Sequence, residues 1–331
     1  LWGSLTARNG STSVRSEGVQ MNIWNDGWAN PKSMYQQGYD LIDMNDGSVY
    51  IVPAAGYYAD YLSRKSMYNY DPATRMGVPS GSEQTLGGAY AIWNDMVDQR
   101  ANGLTEMEIY DRFDDAAPYY AAALWGKSGE VSFTTAQQTS ENVGEAPGVN
   151  AYDKVDSETD EILSYDFEDG LSDKSANEYD AENGKNAEVK DGELVLKGGE
   201  SYISTPLDKV GPEKELSFDI TLTQPAEPGQ ILFEAEKDED HEAYSTHNIR
   251  IMEDGTLGFT REGYDYSFGY KLPVNQKMTL KIRTKNGSTV LIADGKEYKA
   301  TGSFTYEGDV KKTGITSSTL SLPLTRIGSD T

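Results

Sequence analysis

The apolar positions of the chain follow two different patterns, one in each half. In the second half the period is two: Leu216, Phe218, Ile220 and Leu222, then Ile249 and Ile251, then Tyr264, Tyr266, Phe268 and Tyr270, then Met278, Leu280 and Ile282. The pairs Asp191-Gly192, Asp254-Gly255, Asn286-Gly287 and Asp294-Gly295 fall between these runs. Short alternating strands joined by such turns predict an antiparallel β-sandwich jelly roll over residues 162–331. Strict alternation reads Tyr264, Tyr266 and Tyr270 as one packed sheet face, with an exposed glycan platform as the alternative.

The first half has short apolar runs that end in aromatics and acids. Val19, Met21 and Ile23 alternate into Trp24 before Asn25-Asp26-Gly27 breaks the run. Val49-Tyr50-Ile51-Val52 follows the Asn45-Asp46-Gly47 turn and leads to Tyr57-Tyr58-Ala59-Asp60. A third run opens at Gly87-Gly88 and closes on Trp93 and Asp95. Each reads as a strand with its functional end at the aromatic. For the third run, a core tryptophan followed by a solvated acid remains the alternative to a sugar-packing wall. Pro31 suits the first turn of a helix. Residues 64–85, with Pro72, Pro79 and several glycines, read mostly as a loop. A capping box at Thr105 to Glu108 starts a helix with Met107, Tyr110, Phe113 and Ala117 on one face, and Pro118 kinks or restarts it.

Trp2, Trp24, Tyr58 and Trp93 stand 22, 34 and 35 residues apart. A (β/α)₈ barrel repeats its unit roughly every 30 residues and places its site where the strands end. The spacing therefore predicts a partial TIM barrel over residues 1–127, its C-terminal half. An open half would leave two unpaired edges, so the N-terminal half is expected outside this chain. The start at Leu1 is accordingly read as that of a processed or excised part of something longer. Residues 128–161, rich in Ser, Thr, Glu, Gly and Asn, read as an acidic linker.

Composition narrows the function classes. The formal net charge of −25 would repel a phosphate backbone, so nucleic acid is excluded as a partner. Residues 1–127 carry only −6 of it, and all five tryptophans lie within the first 125 residues. No run approaches the roughly 18 apolar residues of a membrane span. The absence of cysteine rules out disulfides and thiolate chemistry, and it fits a secreted or cell-surface bacterial protein. His241 and His247 have no companions at zinc spacing, and nothing at Asp166 or Asp169 compels a calcium site. No cofactor or metal is expected.

Leu86 to Asp95 resembles the Gly-Gly-Glu-x-x-Leu-Trp-x-Glu strand of glycoside hydrolase family 20, the β-N-acetylhexosaminidases. Met21-Asn22-Ile23-Trp24-Asn25-Asp26 is similar to the family's preceding Trp-bearing strand, Tyr57-Tyr58-Ala59-Asp60 to its Trp-Tyr-x-Asp, and Leu104 to Trp125 to its closing helix. Ala89 and Asp95 replace two glutamates, and the shorter acid looks closer to the lacto-N-biosidase branch. The resemblance implies retaining hydrolysis in which the substrate's 2-acetamido oxygen attacks the anomeric carbon. It assigns Tyr58 to the acetamido oxygen, Trp2, Trp24 and Trp93 to a box around the acetamido methyl and sugar face, and Asp60 and Asp95 to sugar hydroxyls. The family's catalytic Asp-Glu pair, in a His-x-Gly context, is not found in this chain. Asp160-Glu161 lacks that context and reads as a solvated pair. The second half resembles laminin-G or concanavalin-like jelly rolls, with Leu163 to Glu168 as the first strand. The expected function is thus the C-terminal part of a secreted glycosidase acting on terminal β-linked N-acetylhexosamine or a disaccharide containing it, inactive without its missing half. The alternative is a non-catalytic carbohydrate-binding or adhesion protein.

Overall fold

The computed structural model describes residues 2, 14–53, 55, 57–95, 106–126, 129–144, 155–236, 247–261, 264–285, 287–306, 309–316 and 318–330. The chain divides into two compact units, one of residues 1–96 and 108–145, the other of residues 97–107 and 146–331.

In the first unit, β1 (Gln20–Ile23) pairs in parallel with β2 (Asp40–Asp43), Met21 opposite Leu41. Between them runs α1 (Pro31–Gln36), started by the Asn30 side chain, which accepts from the Ser33 N–H at 3.0 Å, and by Pro31 in the first turn. The following elements are α2 (Asp46–Val49), β3 (Tyr50–Ile51), α3 (Arg64–Tyr68), α4 (Pro72–Met76), β4 (Thr85–Gly88), β5 (Ala91–Ile92), α5 (Glu106–Leu124) and α6 (Phe133–Val143). Strand β4 lies parallel to β2, and β5 lies parallel to β3. Trp2 bridges Asn22 in the same parallel sense. Two apolar clusters hold the unit. Met21, Ile23, Met34, Leu41 and Met76 pack between β1, β2, α1 and α4. Val49, Ile51, Met67, Tyr68, Ala116, Tyr119 and Tyr120 pack around α3 and α5.

Three readings of this half change, and a fourth is not shown. The described strands form a three-stranded and a two-stranded parallel sheet, and no partial barrel is shown. Helices α1 to α4 are single turns of four to six residues, shorter than the helices that cover the strands of such a barrel. Residues 64–85 hold α3 and α4, capped by the side chains of Ser63 and Asp71, and Gly77 ends α4 at φ 65°. Helix α5 runs through Pro118, which lies on the solvent face where water can serve the carbonyl left without a donor. The stretch read as linker contains α6, started by Ser132 and pinned by Phe133 against Tyr68 and Tyr119, with ring centroids 5.8 and 5.6 Å apart.

Gly87 and Gly88 have separate reasons. Gly87 sits at φ +135°, where a side chain is strained, and a Cβ at Gly88 would fall on the Tyr120 hydroxyl. Gly88 lets α5 approach the end of β4 closely.

The second unit is β-sandwich-like and antiparallel. A four-stranded sheet joins Glu215–Thr221, Lys277–Lys285, Ser288–Ala293 and Lys296–Lys299 in that order. A nine-stranded sheet runs Asp309–Ile315, Thr301–Tyr306, Tyr264–Tyr270, Leu257–Arg261, His247–Ile251, Ile231–Glu234, Arg326–Ser329, Ser201–Ser204 and Glu182–Lys185. Phe218 of the small sheet meets Phe233 of the large one edge-on at 5.0 Å, so the alternating apolar faces close on each other. The Asp191-Gly192 and Asp294-Gly295 turns take positive φ at both residues, as two-residue hairpins require. Leu163 to Glu168 is not a strand. That stretch is held by the Asp173 carboxylate, which accepts from the N–H groups of Ser164, Ser175 and Tyr179. Tyr264 and Tyr266 are buried, Tyr266 completely and stacked on Phe259 at 4.7 Å, which removes them as an exposed glycan platform.

Candidate functional site

The richest polar cluster of the first unit lies where β1, β2 and β5 end. Two Asn-Asp-Gly turns create it. The Trp24 carbonyl accepts from the Asp46 N–H at 2.7 Å, tying the loop after β1 to the turn after β2. Asn25 Oδ1 accepts from the Gly27 N–H at 2.9 Å, which shapes the first turn. Asn25 Nδ2 then donates to Asp46 Oδ2 at 3.0 Å. The Tyr58 hydroxyl donates to the same Oδ2 at 3.2 Å, and the Gly47 N–H donates to Oδ1 at 2.8 Å.

A chain of aromatic ring contacts runs through Tyr58, the phenol end of this hydrogen-bond chain. Trp2 meets Trp93 at 5.9 Å, Trp93 meets Tyr50 at 5.5 Å, Tyr50 meets Tyr58 at 5.8 Å and Tyr58 meets Tyr57 at 5.0 Å. Trp24 packs on the same cluster and stacks on Trp28 at 6.5 Å, their planes 22° apart. The Trp93 backbone is fixed by its N–H bond to the Ile51 carbonyl, and its indole Nε1 is buried without a hydrogen-bond partner.

The electrostatics favour neutral phenols. Burial, then Asp46 and Tyr58, pushes Tyr50 up to about 12. Burial raises Tyr58 as well, helped by Asp46, Tyr57 and Asp95. Tyr58 therefore remains an O–H donor at neutral pH. The charge of the exposed Asp95 is the smallest of these contributions.

Of the six residues singled out in the sequence, the structure brings Tyr58, Trp93 and Trp2 into one ring chain, with Trp24 packed beside it and Asp95 within electrostatic reach. Asp60 has a different setting. It accepts from the fully buried Arg112 at 3.0 Å, and the Arg112 guanidinium lies 4.9 Å over the Tyr61 ring. Asp160 and Glu161 are exposed. Sequence reading missed Asp46, Asn25, Tyr50 and Trp28. The available signal was the repeated Asn-Asp-Gly, read only as two turns.

A second network braces the same loops from beneath. Arg75 of α4 donates to the fully buried Asp43 at 2.5 and 3.1 Å and to Asp26 at 2.7 and 2.9 Å, while the Tyr70 hydroxyl donates to Asp43 at 2.8 Å.

Among the described residues no group of three His, Asp or Glu side chains is arranged to hold a metal. In the second unit Asp169 pairs with Lys174 at 2.7 Å, and Asp166 accepts from the Glu168 N–H at 3.0 Å. No helix among the described residues is long and apolar enough to cross a membrane.

No known family and no curated protein matches the sequence. Among solved structures, the chain is similar to domain 4 of AbnA, a GH43 extracellular arabinanase from Geobacillus stearothermophilus in complex with arabinotriose. The identity is 18%, over 49% of this chain and 84% of that one, with a TM-score of 0.32. It is also similar to a structure described under endo-acting O-glycanases that members of the human gut microbiota express to initiate mucin breakdown. There the identity is 13%, over 36% of this chain and 59% of that one, with a TM-score of 0.24. Both neighbours are glycoside hydrolase-related, and at such scores neither carries an argument for this chain.

Proposed function

We propose that the first unit carries a sugar pocket for a terminal β-linked N-acetylhexosamine, alone or within a disaccharide of the lacto-N-biose kind. The observation that carries this reading is the Asn25–Asp46–Tyr58 hydrogen-bond chain, continued from Tyr58 by ring contacts through Tyr50 and Trp93 to Trp2. A pyranose offers a flat C–H face to an indole and a rim of hydroxyls to polar groups. Its acetamido carbonyl needs a donor, and the protonated Tyr58 phenol supplies one by turning its single O–H away from Asp46 Oδ2, which Asn25 Nδ2 continues to serve. Trp2, Trp24 and Trp93 would enclose the acetamido methyl, and Asp95 would accept from a sugar hydroxyl.

In the catalytic form of this reading, holding the amide in attack geometry lowers the barrier to oxazoline formation. An Asp-Glu pair from outside this chain orients the amide N–H and protonates the leaving oxygen. Strands β1, β2 and β4 then belong to a barrel completed elsewhere, in a secreted or cell-surface protein.

A non-catalytic carbohydrate-binding protein is the second reading. It is favoured by the settings of the carboxylates: Asp46 is engaged by Asn25 and Tyr58, and Asp60 by Arg112. Saturation-transfer NMR with N-acetylglucosamine tests what both readings share. The strongest transfer is expected at the acetamido methyl protons, and no transfer to the sugar rules the pocket out.

A further inference from the structure

The geometry points to a second sugar subsite on Trp28, beside the acetamido pocket and built for the next pyranose of an oligosaccharide. It rests on the sugar pocket proposed above and extends it.

Trp28 is 66% exposed, an unusual position for the largest apolar side chain. Its placement is nevertheless fixed. One ring face packs on Trp24, 6.5 Å away and 22° from parallel, and the Trp28 N–H bonds to the Asn25 carbonyl at 3.1 Å. The Asn25 side chain is the far end of the hydrogen-bond chain that begins at Tyr58. On the other flank Asp26 is gripped by Arg75, itself anchored in the fully buried Asp43. The four-residue turn Asn25-Asp26-Gly27-Trp28 is therefore braced at both side chains that precede the indole. A ring held in advance loses little freedom when a ligand stacks on it.

The neighbourhood also suits a carbohydrate. The Asp26 carboxylate is half exposed, and although Arg75 donates to both its oxygens it keeps lone pairs for sugar hydroxyls. A flat apolar face next to a charged acceptor matches a pyranose, which presents C–H groups on one face and hydroxyls at its edge. A single indole flanked by an ion pair is far smaller than the roughly 800 Å² that a protein partner covers on each side. Tyr57 is 70% exposed and meets Tyr58 edge-on at 5.0 Å, their planes 62° apart. Aromatic surface is thus exposed at both Trp28 and Tyr57, next to rings of the proposed pocket.

The test is a calorimetric series on the whole chain with N-acetylglucosamine, lacto-N-biose and N,N′-diacetylchitobiose. At least one disaccharide should bind about threefold to tenfold more tightly than the monosaccharide, as one added ring contact would give. Trp28→Ala should erase that gain and leave monosaccharide affinity unchanged, while Trp28→Phe should keep most of it. If neither disaccharide gains affinity, or if the gain survives Trp28→Ala, the subsite is wrong and the pocket stands. If N-acetylglucosamine itself fails to bind, the pocket is wrong and the subsite falls with it.

Discussion

Aromatic residues have opposite fates in the two units. In the second, Tyr264, Tyr266 and Phe268 alternate along one strand and disappear into the core between two sheets. In the first, Trp24, Trp28, Tyr58 and Trp93 follow short strands and remain partly or wholly exposed, near hydrogen-bonded Asn, Asp and Tyr side chains. The residue type is nearly the same, and the surrounding backbone decides its use. Regular alternation gives every second ring a partner across the sandwich. An irregular turn after a strand holds a ring at the surface, where a ligand can cover it.

The contrast is sharpest in what truncation does. Tyr266→Ala should destabilise the second unit by about 3–5 kcal/mol, the cost of emptying a core ring site. Tyr58→Phe should cost the first unit less than about 1.5 kcal/mol, the value of one hydrogen bond, while impairing sugar binding. Urea unfolding of both variants checks this, and equal losses would erase the distinction.

The polar brace of the first unit should matter nearly as much as a core. Asp43→Ala leaves the Arg75 guanidinium without its buried partner, for an expected loss of about 3–5 kcal/mol in the same measurement. A smaller effect is expected at Gly88→Ala, about 1–3 kcal/mol, because the new methyl meets the Tyr120 hydroxyl. Tyr120→Phe in the same chain should recover part of that loss. A Gly88→Ala chain as stable as the parent would show that α5 can move away from β4.

The smallest expected effect is on pH dependence. Tyr50 is pushed from its ordinary value of 10.0 up to about 12, so the folded state holds the phenolic proton more tightly than the unfolded chain does. That contribution to stability is complete below about pH 10 and is lost as pH rises toward 12. Thermal melts from pH 8 to 11 should show the first unit weakening above pH 10. Tyr50→Phe should reduce that fall without changing the second unit's, the remainder coming from Tyr70, Tyr90 and Tyr120, whose phenols burial also raises.

How far each feature was legible depended on the range of the interaction behind it. The strands at Glu215–Thr221, His247–Ile251, Tyr264–Tyr270 and Lys277–Lys285 follow from alternation and adjacent Gly turns, all local signals. The Ser63 and Asp71 caps were equally local, but Pro72 and the neighbouring glycines drew the reading toward a loop. Asp46 was not legible because its importance comes from Asn25, 21 residues away, and Tyr58, 12 residues away. The Asp60 ion pair needs Arg112, 52 residues downstream. The single turns between the strands of the first unit were not legible either, because equal intervals between aromatics do not show whether the segment between them holds a full helix or one turn.

The central claim is that Tyr58 reads the acetamido group beside the Tyr50–Trp93–Trp2 chain of rings. Calorimetric titration of the chain and of Tyr58→Phe with N-acetylglucosamine and with glucose tests it most directly. The account predicts that the chain prefers N-acetylglucosamine to glucose and that Tyr58→Phe weakens N-acetylglucosamine about threefold to tenfold while leaving glucose unchanged. Equal affinity for the two sugars, or a Tyr58→Phe chain that binds N-acetylglucosamine as well as the parent, would contradict it.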